Sequence, residues 1–301
     1  MAFSYTFEEN KQLTLEEYIH FIEDNIDVQD EDSLKESARA LNGLSMNKSI
    51  FDKMIEDSVK RSASSGGLQD LNTYTDATFI IGDSPTKTFF VRANIWKQPK
   101  ELMGAIDYEN RLYSYHEPHD HNFDFVTVGY FGPGYTTRIY EYEHSRVVPR
   151  LDEPVDLRFL EETGLPVGKV MMYRKSVDIH TQMPPPSTSI SLNLMVPQLP
   201  GWHAEQYYFD LEASTLKGFV RGRSAYQVSI LSLAGDIGGE DVLDPLISIA
   251  QGSPCERTRA AAVDSVLRIS PSAASLMLSR CGADPSPLVA DALSGALQSA
   301  K

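Results

Sequence analysis

Between about residue 74 and residue 215 the chain is a succession of short β-rich runs, ATFIIG, KTFFVRANIW, FDFVTVGYF, YTTRIYEYE, GKVMMY and STSISLNLMV, cut apart by Gly, Pro and Asp turns. Parallel strands need long crossover connections, and no helical pattern fills these gaps. The pattern therefore predicts an antiparallel sandwich or barrel.

The flanks follow another period. Thr14 stands three residues before Glu17, a capping-box pattern, and Leu15, Tyr18, Ile19, Ile22 and Ile26 then recur at helical intervals. Ser33 ahead of Glu36 signals a second helix that stops near Asn42-Gly43. Ile50, Phe51, Met54, Ile55 and Val59 mark a third, broken by SASSGG at 62–67. After residue 216 the chain turns rich in Ala, Leu and Ser. Ser253-Pro254 with AAAVDSVL is echoed by Asp284-Pro285 with VADALSGAL about 30 residues on, a period that looks like a short HEAT-type solenoid or a plain helical bundle. The expected division is 1–67 N-terminal helices, 68–215 β-barrel and 216–301 C-terminal helices, an α+β chain.

The 301 residues carry a net charge of −15, which repels phosphate backbones and anionic lipid, so nucleic acid and membrane are not expected as partners. No apolar run reaches a membrane span, and the first residues lack a basic region followed by an apolar core. A cytoplasmic protein is expected. Cys255 and Cys281 have no paired spacing and read as small buried residues.

Three of the seven histidines, His116, His119 and His121, crowd into YSYHEPHDH. Imidazole is the commonest protein metal ligand and titrates near neutrality, so the cluster is a metal site, a proton-handling site or a polar turn. On a strand, His119 and His121 would share one face and Asp120 the other. His116, upstream of Pro118, falls on the approach loop. Asp124 has the opposite parity and stays a reserve ligand.

These residues resemble the first motif of the cupin superfamily, in which H-x-H is followed by a ligand glutamate and a closing glycine. Here Phe125 stands where the glutamate belongs, Gly132 closes the motif, and the leading glycine is missing. The second motif is looser: Gly168 and His180 occupy its ends in GKVMMYRKSVDIH, with Arg174 and Ser176 near the usual Pro and Gly, and no final asparagine. The resemblance covers residues 68–215 and implies a central antiparallel cupin-type β-barrel in which His119, His121 and His180 meet as a three-histidine metal site. Lacking the carboxylate, the chain is similar to the thiol dioxygenases, cupin-like enzymes that use three histidines.

That resemblance implies Fe(2+) first, with other divalent metals open to the same ligands, and a non-haem iron oxygenase acting on a small carboxylate-bearing metabolite with dioxygen. Arg138 and Arg174 are then candidate carboxylate clamps and Tyr115 a hydrogen-bond donor, while His116, Phe125 and Tyr140 would line the pocket. A metal-dependent isomerase or lyase, and a non-catalytic binding or scaffold protein, are the rivals. The C-terminal helices would carry a homodimer contact or a protein partner.

Overall fold

A computed structural model describes residues 3–52, 77–100, 106–197, 204–220 and 222–299. The expected third helix beyond residue 52 and the SASSGG break lie outside the described residues. The chain divides into two compact units, Met1–Tyr142 with Leu157–Leu199, and Glu143–Asp156 with Pro200–Lys301.

In the first unit the capping box forms as spelled: Thr14 Oγ1 accepts from the Glu17 amide at 3.1 Å and Glu17 Oε2 from the Thr14 amide at 2.8 Å, opening α1 (Leu15–Asn25). The second helix departs from expectation. Asp30, not Ser33, caps α2 (Glu31–Ser45), its carboxylate accepting from the Ser33 amide at 2.8 Å. The helix also runs through Gly43. A Cβ there would meet the Lys11 carbonyl oxygen at 2.4 Å, so the glycine serves close backbone approach and not helix termination.

Six strands form one antiparallel sheet: β1 (Phe3–Tyr5), β2 (Thr78–Asp83), β3 (Phe90–Trp96), β4 (Phe125–Phe131), β7 (Val170–Tyr173) and β9 (Ser189–Met195), in the order β1-β7-β4-β9-β3-β2. Three more, β5 (Thr136–Glu141), β6 (Arg158–Gly164) and β8 (Asp178–Met183), make a second sheet in the order β6-β5-β8. Among the described residues neither ladder continues into the other, so the expected closed barrel is replaced by two sheets sharing a core. A short helix, α3 (Ile106–Tyr113), also interrupts the region read as strands alone.

Strand alternation divides the six-stranded sheet into two faces. Val91, Ala93, Val126, Val128, Val170, Met172, Leu192 and Leu194 pack against Tyr18, Ile22, Leu34, Leu41 and Leu44 of the N-terminal helices. Each such buried aliphatic contributes about 1.5–3 kcal/mol. The opposite face presents Phe125, Met171, Tyr173, Met195 and Trp96 to Ile139 of the second sheet, forming a separate core.

The chain passes from β4 to β5 through Gly132 and Gly134, at φ +77° and +81°; a Cβ on Gly134 would come 1.9 Å from the Leu165 carbonyl oxygen. Gly134→Ala is therefore expected to lower stability by at least about 1–3 kcal/mol, read by chemical denaturation.

The second unit pairs β10 (Tyr207–Asp210) with β11 (Thr215–Phe219) and continues as five helices, α4 (Arg223–Ile237), α5 (Leu243–Gly252), α6 (Glu256–Ile269), α7 (Ala274–Cys281) and α8 (Pro287–Ser299). The two Pro-containing joints are tied together, Arg259 gripping Asp284 at 2.7 and 3.0 Å while donating to the Ser253 carbonyl at 2.9 Å. Cys255 and Cys281 are buried and free. No helix among the described residues is long and apolar enough to cross a membrane.

Candidate metal centre

All three clustered histidines precede β4, so His119 and His121 do not lie on a regular strand. Residues 115–121 run beside β8 as an irregular segment joined at single points: Tyr115 bridges Gln182, His116 donates to the Gln182 carbonyl at 3.0 Å, and His119 and His180 exchange backbone hydrogen bonds at 3.1 and 2.9 Å. The last pair fixes two histidines directly opposite each other. Asp120 turns the other way, accepting from the Tyr142 hydroxyl at 2.6 Å, which leaves His121 on the side of His119.

One potential ligand nitrogen from each of His119, His121 and His180 lies within 4.8 Å of the others. His119 Nδ1 sits 2.7 Å from the Glu117 carbonyl oxygen. A carbonyl only accepts, so that nitrogen carries the proton and Nε2 keeps the lone pair a metal needs. His121 Nε2 and His180 Nε2 are 2.9 Å apart. Two nitrogens sharing one ion at 2.0–2.1 Å are separated by about 2.9–3.4 Å, so little movement would seat one. Burial lowers the pKa of His119, and pushes His121 and His180 well below the ordinary histidine range, helped by the charges of neighbouring rings and Arg92. Neutral imidazole is the ligand form. The donor set fits a divalent metal.

Behind His180 stands Gln182, its side-chain amide nitrogen 3.1 Å from Nδ1. Amide nitrogen and oxygen exchange places by a half-turn. With the oxygen toward Nδ1, the imidazole holds its proton there and frees Nε2. Gln182→Leu is accordingly expected to weaken metal binding about 10–100-fold, measured by competition with a chelating dye.

The three rings line a cavity of about 200 Å³ whose walls include Arg92, Asn94, Trp96, Tyr113, Phe125, Tyr135, Gln182 and Asn193. Phe125 is buried, with its ring 5.1 Å from His121 and stacked at 4.7 Å on Tyr173. Tyr135 packs on Trp96 at 4.6 Å, and burial pushes its hydroxyl up to about 12.

Other residues singled out from sequence stand elsewhere. Arg138 is half exposed and pairs with Glu162 at 2.6 Å; Arg174 is held by Asp178 at 2.6 Å and Glu141 at 3.2 Å. Their own acids satisfy them, and neither lines the cavity. The Tyr115 hydroxyl donates to the Lys97 carbonyl at 2.9 Å, Tyr140 packs on Phe159, and His116 is exposed with φ +60°. Asp124, the reserve ligand, accepts from the Lys175 amide at 2.8 Å and pairs with its ammonium at 3.3 Å. The cation in the cavity wall is Arg92. Its signal was the alternation in FVRANIW, where Arg92 and Asn94 interrupt an apolar run on one face.

No family model matches the chain, and no curated protein matches it. Among solved structures it is similar to RmlC from Streptococcus suis in complex with dTDP-D-xylose, at 6% identity over 38% of this chain and 46% of that one, TM-score 0.23. It is similar to the vicilin from Solanum melongena at 12% identity over 52% and 34%, TM-score 0.24. The DMSP lyase DddQ from Ruegeria pomeroyi DSS-3 shows 10% identity over 65% and 79%, TM-score 0.22. The chain thus spans less than half of the first two. These neighbours are cupin-fold proteins.

Proposed function

We propose that His119, His121 and His180 bind one divalent metal ion, and that the chain is a metal-dependent enzyme of the lyase or isomerase type acting on a small carboxylate-bearing molecule. The observation that carries this is the convergence of three neutral ring nitrogens within 4.8 Å at a cavity wall. When bound, the ion supplies Lewis-acid polarisation of a substrate oxygen. Arg92 adds positive charge on the same side and orients an anion. Phe125, Trp96 and Tyr173 keep the surroundings apolar, which strengthens both attractions. Tyr135, buried in the same wall, keeps its hydroxyl protonated because burial raises its pKa, and is placed to hold a proton there.

A second reading, a non-haem iron oxygenase, is favoured by the donor set itself: three imidazoles, with no carboxylate among the described lining residues. Both readings are tested on the full chain loaded in turn with Fe(2+), Mn(2+) and Zn(2+), by following small organic acids with and without dioxygen. Equal turnover under nitrogen supports the lyase or isomerase, while stoichiometric oxygen uptake with Fe(2+) alone supports the oxygenase. A chain that retains no metal overturns both.

A further inference from the structure

The first helix of the second unit, α4, turns an apolar face to solvent. Its inner face is fixed on α6: Leu231 is buried in a core with Val263, Val266 and Leu267, Ser265 Oγ donates to the Leu231 carbonyl at 2.7 Å, and a Cβ on Gly235 would meet the Ser265 Cα at 3.0 Å. The helix cannot roll its outer face inward without losing that packing. The outer face carries Tyr226, Ile230, Leu233 and Ile237, which are 69%, 46%, 49% and 78% exposed. A surface helix ordinarily turns polar residues outward, so four large apolar side chains in one line mark an interaction surface. Their gaps of four, three and four residues are the a/d repeat of a helix that packs along another helix.

The stripe itself says what covers it. Among the described residues no other helix exposes four large apolar side chains: α1 exposes Phe21 alone, and α7 exposes Leu276 and Leu278. The matching helix is therefore a second α4. Gaps of four, three and four read the same from either end, so two antiparallel copies set Tyr226 opposite the partner's Ile237 and Ile230 opposite the partner's Leu233, an isologous contact that closes on itself. Charge agrees with this. Two chains of net charge −15 repel wherever their acids meet, yet the one charged group among the described side chains of α4, Asp236, is already paired with Arg268 of α6. A basic partner drawn to so acidic a chain would find no acid on the stripe to pair with. The exposed parts of the four side chains amount to about 500 Å² in each copy, so pairing would bury about 1,000 Å², enough for a specific contact at the small end of the range. We propose that the chain forms a two-fold symmetric dimer through antiparallel packing of α4 against the α4 of a second copy.

Sedimentation velocity of the full chain from about 1 to 100 µM tests this, and a dimer is expected to form within that range. Ile230→Glu and Leu233→Lys each place an unpaired charge in the contact twice, and each should weaken the dimer at least about 100-fold. Both side chains stand outside the core of the protomer, so its circular dichroism should not change. Combined in one chain, the two substitutions should restore the dimer, because each introduced carboxylate then faces an introduced ammonium across the two-fold axis. The restored dimer should weaken as salt is added. Ile237→Ser, at the outermost position, is a milder change that should weaken the dimer about 10-fold, and it decides the matter where a charged variant loses helix. A monomer at every concentration, a dimer undiminished by any of the three single substitutions, or a double variant no more dimeric than its single parents overturns the proposal.

Discussion

Replacing His119, His121 or His180 with Ala, one at a time, is expected to reduce metal affinity by more than about 100-fold, beyond the 10–100-fold seen when only an outer partner of a ligand is lost. The three rings converge without a carboxylate among the described lining residues, so each supplies a third of the protein's donor set and no neighbour can replace it. Metal content by mass spectrometry after loading and desalting reads the effect. His20→Ala, on the exposed face of α1, and His144→Ala, in the second unit, should retain full occupancy. Retained occupancy in any of the three substitutions would remove that residue from the site.

The second large effect belongs to Phe125. Its ring is 4% exposed and lies between His121 and Tyr173. Phe125→Ala deletes that ring from a packed core and is expected to cost about 3–5 kcal/mol, measured by denaturant unfolding, while leaving all three ligands in place. Phe125→Glu separates two contributions. Without an ion it buries a carboxylate in apolar surroundings and destabilises the fold. With an ion it adds an anionic donor, so metal affinity should rise and much of the lost stability return on loading. If Ala leaves stability unchanged and Glu leaves metal affinity unchanged, the ring does not hold the position beside His121 that both effects require.

What could be read from the sequence follows from how local each signal is. The capping box at Thr14 is complete within four residues and forms as read. The H-x-H spacing of His119 and His121 is equally local, and its same-side consequence survives even though the segment is not a regular strand. His180 was found through a motif resemblance, since its approach to His119 depends on a pairing 61 positions apart. Arg92 and Asn193 could not be paired by inspection. They are 101 positions apart, and only the order of β4, β9 and β3 makes them neighbours. Arg138 and Arg174 drew attention because arginine in a strand near a metal suggests a clamp, but Glu162, Asp178 and Glu141 were already opposite them. The stop expected at Gly43 misjudged the reason for a glycine, which here admits the backbone of Lys11.

The segment that brings His119 to His180 has a consequence for colloidal behaviour. β8 is the outer strand of its sheet, and such a strand displays unpaired amides and carbonyls that invite another chain to add on. Residues 115–119 occupy that border at two isolated bridges instead of a full ladder. An ion shared by His119, His121 and His180 would fasten this cover to the strand it shields. Cofactor depletion would then loosen the shield together with the ligands, so a preparation stripped of metal is one in which chains acquire a template for adding to one another.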